Sequence, residues 1–218
     1  MNQQDDLNKL RSILLFDACS YSRIAITELL FSMGGKVKSY GGLVDTYLTA
    51  DSFNAVDGII ISVKGHLAQV VSTLQKIASW KYHMTDNCRV IILSDMSENC
   101  ARFLLTFVGM LPKDLKVLWM IEDRITLPIL KVKIKTILLN DIGISNLSLI
   151  DKKLSLKKAV SLMAILHEVA PLEQARRNDA NIKCIYNNRS ALLHDLSLSS
   201  LHVFYCGRFN HLKSVKSY

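Results

Sequence analysis

Four side chains stand where a parallel sheet does its chemistry. Asp17 follows "SILLF", Ser62 ends "GIIIS", Ser94 ends "VIILS" and Glu122 follows "VLWMI". Each apolar, β-branched run reads as a buried strand, and in sheets of parallel strands ligands and reacting groups gather at the carboxyl ends. The types are informative. A carboxylate can hold Mg²⁺ through hard oxygen ligands, but Asp17 is followed by Ala18 and Cys19, so it stands as one acid where two would hold the ion well. A serine hydroxyl is a weak nucleophile unless a base lies beside it, and nothing next to Ser62 in the sequence supplies one. Glu122 is a second carboxylate and not a cation, so it cannot neutralise a developing negative charge. The rim formed by these strand ends therefore has few acids and no positive group. Asp57 is no substitute, because it lies at the start of its strand and so at the opposite edge of the sheet.

The elements that position these residues follow from periodicity. Over the first 140 residues short apolar runs alternate with longer amphipathic ones. "SILLFDA" (12–18) predicts a strand, and Ser20 or Ser22 is placed to cap the helix "RIAITELLFSM", which Gly34-Gly35 stops. "KVKSY" (36–40) suits an edge strand, "GLVDTYLTADSF" a helix and "DGIIISV" (57–63) a central strand. "HLAQVVSTLQKIASWKYH" carries Leu67, Val70, Val71, Leu74, Ile77 and Ala78 on one face. A fourth strand (88–94), a helix closed by Pro112 and a fifth strand (115–121) follow. "ITLPILKVKIKTILL" (125–139) alternates like a strand and also fits helical spacing; the βα rhythm favours helix. Five such units with right-handed crossovers make a flavodoxin-like α/β domain over 1–140. The Asn-, Ser- and Gly-containing stretch 141–153 reads as a linker. Beyond it, over 154–218, only helices are predicted, at about 155–167, 171–178, 181–194 and 199–209.

Composition bounds the function. The chain has 218 residues, 50% of them hydrophobic and 21% charged, so it can bury a large core. No apolar run approaches the roughly 20 residues needed to span a bilayer, and the polar start "MNQQDDLNKLR" is no signal peptide, so a cytoplasmic protein with no membrane role is expected. Five scattered cysteines without C-x-x-C spacing argue against disulfides and zinc. The spacing of His194, His202 and Cys206 matches no zinc pattern, so buried thiols and ordinary histidines are expected, with no metal or cofactor. No glycine-rich phosphate loop follows any strand, which weighs against a nucleotide-binding enzyme. Charge is uneven: residues 1–150 hold 16 Lys/Arg against 14 Asp/Glu, and residues 151–218 hold 11 against 5. A basic C-terminal third points to a polyanion, with nucleic acid first.

An α/β domain followed by a basic helical one resembles the response regulators of the LuxR/FixJ type. That resemblance assigns the third strand's end to a phosphoryl-accepting aspartate, the first strand's end to two Mg²⁺-binding acids, the fourth's to Ser or Thr and the fifth's to Lys. Here those places fall on Ser62, on Asp17 alone, on Ser94 and on or beside Glu122. The site is degenerate, and the resemblance implies a pseudo-receiver that is no enzyme. "DACSYSRIAITELLFSMG" (17–34) is similar to the same stretch of the RcsA/RcsB group, particularly its auxiliary members.

Residues 154–198 resemble the LuxR-type helix-turn-helix. Ser155 stands at the first cap, Glu173-Gln174-Ala175 on the scaffold helix and Asn181 through Ile185 at the opening of the recognition helix. Asn188-Arg189 and the core leucines Leu192, Leu193 and Leu196 follow. The resemblance makes Arg176 and Arg177 phosphate contacts. It sets Lys183, Tyr186, Asn187, Arg189 and Ser190 on an outward face that enters the major groove, while Leu172, Ala175, Ile185 and Leu192 hold the helix in place. The chain departs from the family at Glu168, which takes the place of a turn glycine, and at Pro171, Asn178 and Cys184. Leu201, Phe204, Tyr205 and Phe209 lie on a last helix suited either to dimerisation or to covering the domain's own core. The expected function is a DNA-binding regulator free of phosphorylation control, paired with an RcsB-like partner or with itself on double-stranded DNA. The alternative is an antagonist that sequesters a partner regulator without touching DNA.

Overall fold

The computed structural model describes residues 12–43, 52–53, 56–83, 88–111, 113–139, 147, 155–196, 198 and 200. The helix expected over "GLVDTYLTADSF" lies outside the described residues but for its ends. The linker is described only at Leu147, and the C-terminal helix with Leu201, Phe204, Tyr205 and Phe209 is not described.

Five parallel strands form one sheet: β1 (Ser12–Phe16), β2 (Lys36–Tyr40), β3 (Gly58–Ser62), β4 (Arg89–Ser94) and β5 (Leu118–Glu122), in the order β2-β1-β3-β4-β5. The central three read as unbroken apolar runs because helices cover both faces. On one face Ile13, Leu15, Ile60, Ile91 and Ile121 pack against Ile26 and Leu30 of α1 (Ser20–Phe31) and Leu130 and Ile134 of α4 (Leu127–Leu139). On the other, Phe16, Ile59, Ile61 and Ile92 meet Val70, Leu74 and Ile77 of α2 (Leu67–Ser79) and Leu104 and Leu105 of α3 (Glu98–Phe107). Each fully buried Ile or Leu contributes roughly 1.5–3 kcal/mol. The segment 127–139 is helical, as the βα rhythm required: Leu130 and Ile134 are buried, while Val132, which would share their face in a strand, is exposed.

Local signals differ from expectation at three points. Neither Ser20 nor Ser22 caps α1; the N-cap is Cys19, and Asp17 does the capping by accepting from Cys19 N and from Ser22 Oγ. The helix before Pro112 ends at Phe107, where Gly109 takes a φ of 92° and Met110 N reaches back to Leu105 O. Gly can adopt that left-handed turn without a Cβ clash, so the stop comes earlier than the proline. Two of the thiols, Cys19 and Cys184, are exposed, while burial pushes the Cys88 and Cys100 thiols up to about 12.

Three helices follow the sheet: α5 (Leu156–Leu166), α6 (Pro171–Arg177) and α7 (Ile182–Asp195). Ser155 Oγ accepts from Lys158 N to start α5, Pro171 sits in the first turn of α6 where a missing N–H costs nothing, and Asn181 Oδ1 accepts from Lys183 N to start α7. Glu168 and Asp179, which precede α6 and α7, both have positive φ, 55° and 45°. The turn thus keeps the left-handed backbone that a glycine would favour, at Glu168 with an ordinary side chain.

Candidate nucleic-acid interface

Helix α7 has two opposite faces. Ile185, Arg189, Leu192 and Leu196 recur at four, three and four residues and are all buried. Leu192 and Leu196 join Leu162 and Ile165 of α5 in a core that continues into the sheet's α3 side, where α3 packs against α7. Lys158 of α5 is ion-paired with Asp195 at the far end of α7. Lys183, Tyr186, Asn187 and Ser190 recur at three, one and three residues on the other side and are all exposed, Tyr186 by 56%. Arg176 is exposed on α6; Arg177 is also exposed, with Nε 2.8 Å from Glu173 Oε1.

Two sequence assignments change here. Arg189, expected on the outward face, is 5% exposed. Its Nε donates to Gln174 Oε1 at 2.9 Å and its guanidinium Nη2 to Val169 O at 2.6 Å. The reason is phase: Arg189 falls midway between Ile185 and Leu192 on the stripe that must face the core. Gln174 is itself 3% exposed, so the pair is a buried polar bolt tying α7 to α6 and to the turn before it. Leu172, expected to support α7, is 52% exposed; Ala175 takes the supporting place, buried beside Gln174.

At the sheet's rim, Asp17 is 2% exposed and its oxygens are engaged. Oδ1 accepts from Cys19 N at 2.8 Å, Oδ2 from Ser22 Oγ at 2.6 Å, and its carbonyl from Arg23 Nη1 at 2.6 Å. Ser62 Oγ is buried and has no hydrogen-bond partner among the described residues, so no base activates it. Ser94 is fully buried; its Oγ donates to Val63 O at 2.8 Å and accepts from Met96 N at 3.3 Å. Glu122 is half-buried at the end of β5. Asp57 sits at the opposite edge, accepting from Ser12 N at 2.9 Å.

The rim is less bare than the strand ends alone suggested. Lys64, two residues past Ser62, brings a positive charge to it, with Nζ 3.2 Å from Asp123 Oδ2. Asp95 adds an acid whose carboxyl is raised above the usual carboxylate range by burial first and by nearby Asp123 second. These charges lie one or two residues beyond the ends of β3, β4 and β5, where the strand pattern in the sequence no longer fixes which side chains meet. A recess lined by Ser22, Lys64, Glu122, Asp123, Ile125 and Leu127 has a volume of about 180 Å³. That is below the roughly 300–1,000 Å³ of small-molecule sites. Among the described residues no group of His, Cys, Asp and Glu is arranged to hold a metal, and no helix is long and apolar enough to cross a membrane.

A five-stranded parallel sheet in this order, followed by helices α5 to α7, is the fold of solved response regulators. The chain is similar to a structure of two RcsB dimers bound to two parallel DNAs, with 17% identity over 96% of this chain and 100% of that one and a TM-score of 0.57. It is also similar to an RcsB–DNA complex (18% identity, 96% and 100% covered, TM-score 0.53). A third is RcsB from Salmonella enterica serovar Typhimurium bound to promoter rprA in the presence of phosphomimetic BeF3⁻ (12% identity, 94% and 99% covered, TM-score 0.55). No family model matches the sequence, and no curated protein matches it.

Proposed function

We propose that this chain is a transcription regulator that reads double-stranded DNA through α7, without control by phosphorylation and in company with an RcsB-like response regulator. The carrying observation is the division of α7. Its buried stripe holds the helix against α5 and α6 while Lys183, Tyr186, Asn187 and Ser190 project together into solvent. An α-helix fits the major groove, where Asn can bond adenine bidentately and Lys can meet guanine or phosphate; Arg176 and Arg177 on α6 suit the backbone. Likeness in fold to chains solved on DNA supports the reading. The unactivated Ser62 and the fully engaged Asp17 support the absence of phosphoryl control. Adding the unmodified full chain to duplex fragments from its own cell's promoters, with and without an RcsB-like regulator, should retard a subset of them. Retardation of none, in either mixture, overturns direct reading.

The partner is supported by the apolar surface on the adjoining helices α1 and α4. Tyr21, Ile24 and Phe31 share one side of α1, and Ile129 and Val132 lie a turn apart on α4; all are at least 49% exposed. Contiguous exposed apolar surface marks association sites, and RcsB is a dimer on DNA in the structure to which this chain is similar. Ile24→Glu should lower co-purification with the partner at least tenfold, since it buries an unpaired charge in such a contact, while leaving the melting temperature unchanged. Undiminished co-purification would remove this surface from the account. The same surface favours the antagonist as a second reading: a chain that pairs with a regulator through α1 and α4 and takes it off DNA.

A further inference from the structure

Three strand ends at the rim are joined in a closed ring. Ser94 Oγ, at the end of β4, donates to Val63 O, just past β3, at 2.8 Å. Asp123 N, just past β5, donates to Ser94 O at 3.2 Å. Lys64 Nζ closes the circuit on Asp123 Oδ2 at 3.2 Å, and Lys64 is covalently next to Val63. We infer that Val63, Lys64, Ser94 and Asp123 form a permanent latch, which holds the rim in one state with no phosphoryl group and, through α3, fixes the seat of α7. The polarity is inverted relative to the pattern set out from the sequence: the cation comes from the β3 side and the acid from the β5 side, bridging the same two loops from within the chain.

The latch does not rest on the ion pair alone, because an exposed pair contributes little. Lys64 is 44% exposed, but the Asp123 side chain is only 15% exposed, and its second oxygen has no partner among the described residues. Loss of Lys64 would leave a largely buried carboxylate near Asp95, which already feels the Asp123 charge. The path from rim to α7 is short. Ser94 leads through Asp95 to Met96, which is 4% exposed, and then to Ser97, whose Oγ accepts from Cys100 N at 3.2 Å and starts α3. Helix α3 lies against α7, and Leu104 and Leu105 share one apolar core with Leu192 and Leu196. Packed interiors pass on such displacements because they do not deform gradually.

The consequence for DNA rests on the proposed function; the consequence for α3 and α7 does not. The test is amide hydrogen exchange on the DNA-free full chain together with DNA titration, for the wild type, Lys64→Glu, the milder Lys64→Met, and the swapped pair Lys64→Asp/Asp123→Lys. Lys64→Glu should speed exchange at the start of α3 and in the second half of α7 several-fold and weaken DNA binding roughly five- to tenfold. Lys64→Met should move exchange in the same direction by less, and keeps the test alive if Lys64→Glu fails to fold. The swapped pair should return both readouts to within about twofold of wild type, since the attraction across the ring is restored. Unchanged exchange in both single variants, or no recovery in the swapped pair, overturns the latch. If the wild type binds no DNA while the exchange results hold, the latch stands and the DNA reading fails.

Discussion

Replacing Arg189 by alanine should cost about 2–4 kcal/mol of stability, even though family resemblance places this arginine among the DNA contacts. The side chain is buried, and hydrogen bonds from its guanidinium satisfy Gln174 Oε1 and Val169 O. Truncation removes these bonds, leaves the buried Gln174 Oε1 and the part-buried Val169 O without their donor and opens space between α6 and α7, and an unsatisfied buried group costs about 1–3 kcal/mol. Arg189→Lys keeps the charge but loses the forked geometry that serves both acceptors, so it should recover only part of the loss. Urea unfolding of the full chain, followed by circular dichroism, reads the effect. An Arg189→Ala protein as stable as wild type but poor at binding DNA would return Arg189 to the groove face and contradict the burial of the stripe.

The second large effect is on affinity and leaves the fold alone. Changing Arg176, Lys183 and Asn187 together to alanine should weaken DNA binding roughly 10²- to 10³-fold, taking about 1–3 kcal/mol for a base contact and less for each phosphate contact. All three are exposed, so stability should stay within about 0.5 kcal/mol of wild type. Two lost cations should also flatten the dependence of log K on log salt by about 2, because fewer counterions are released. Fluorescence anisotropy on a labelled duplex at four or five salt concentrations gives both quantities. An effect on promoters that survives this triple change would favour the antagonist, which needs α7 only as structure.

Much of this arrangement is legible in the sequence, for reasons that differ by element. β3 and β4 are unbroken runs of Ile, Val and Leu because both their faces are covered, and that signal is strong. α2 is legible because six apolar residues share one face. Asn181 is legible as a cap because its carbonyl oxygen can serve an amide two residues on. Arg189 is the instructive failure. Charge and family resemblance point outward, yet its spacing from Ile185 and Leu192 already puts it on the inner stripe; periodicity carried the answer and charge overrode it. Lys64, Asp95 and Asp123 escaped for another reason. Their meeting depends on how the loops beyond β3, β4 and β5 turn towards one another, and no local pattern encodes that. Asp17 lies between the two cases. Its position at the rim is legible, but its use as the cap of α1 requires knowing that Cys19 N and Ser22 Oγ both turn back to it.

The central claim is that α7 stands ready for DNA without a covalent mark on the sheet. The most direct measurement is the affinity of the purified full chain for a promoter duplex before and after incubation with acetyl phosphate and Mg²⁺, with intact mass recorded on the same samples. The account predicts no added phosphate and an affinity unchanged within twofold, falling steeply with salt in both samples. A stoichiometric phosphoryl adduct that switches DNA binding on would contradict it.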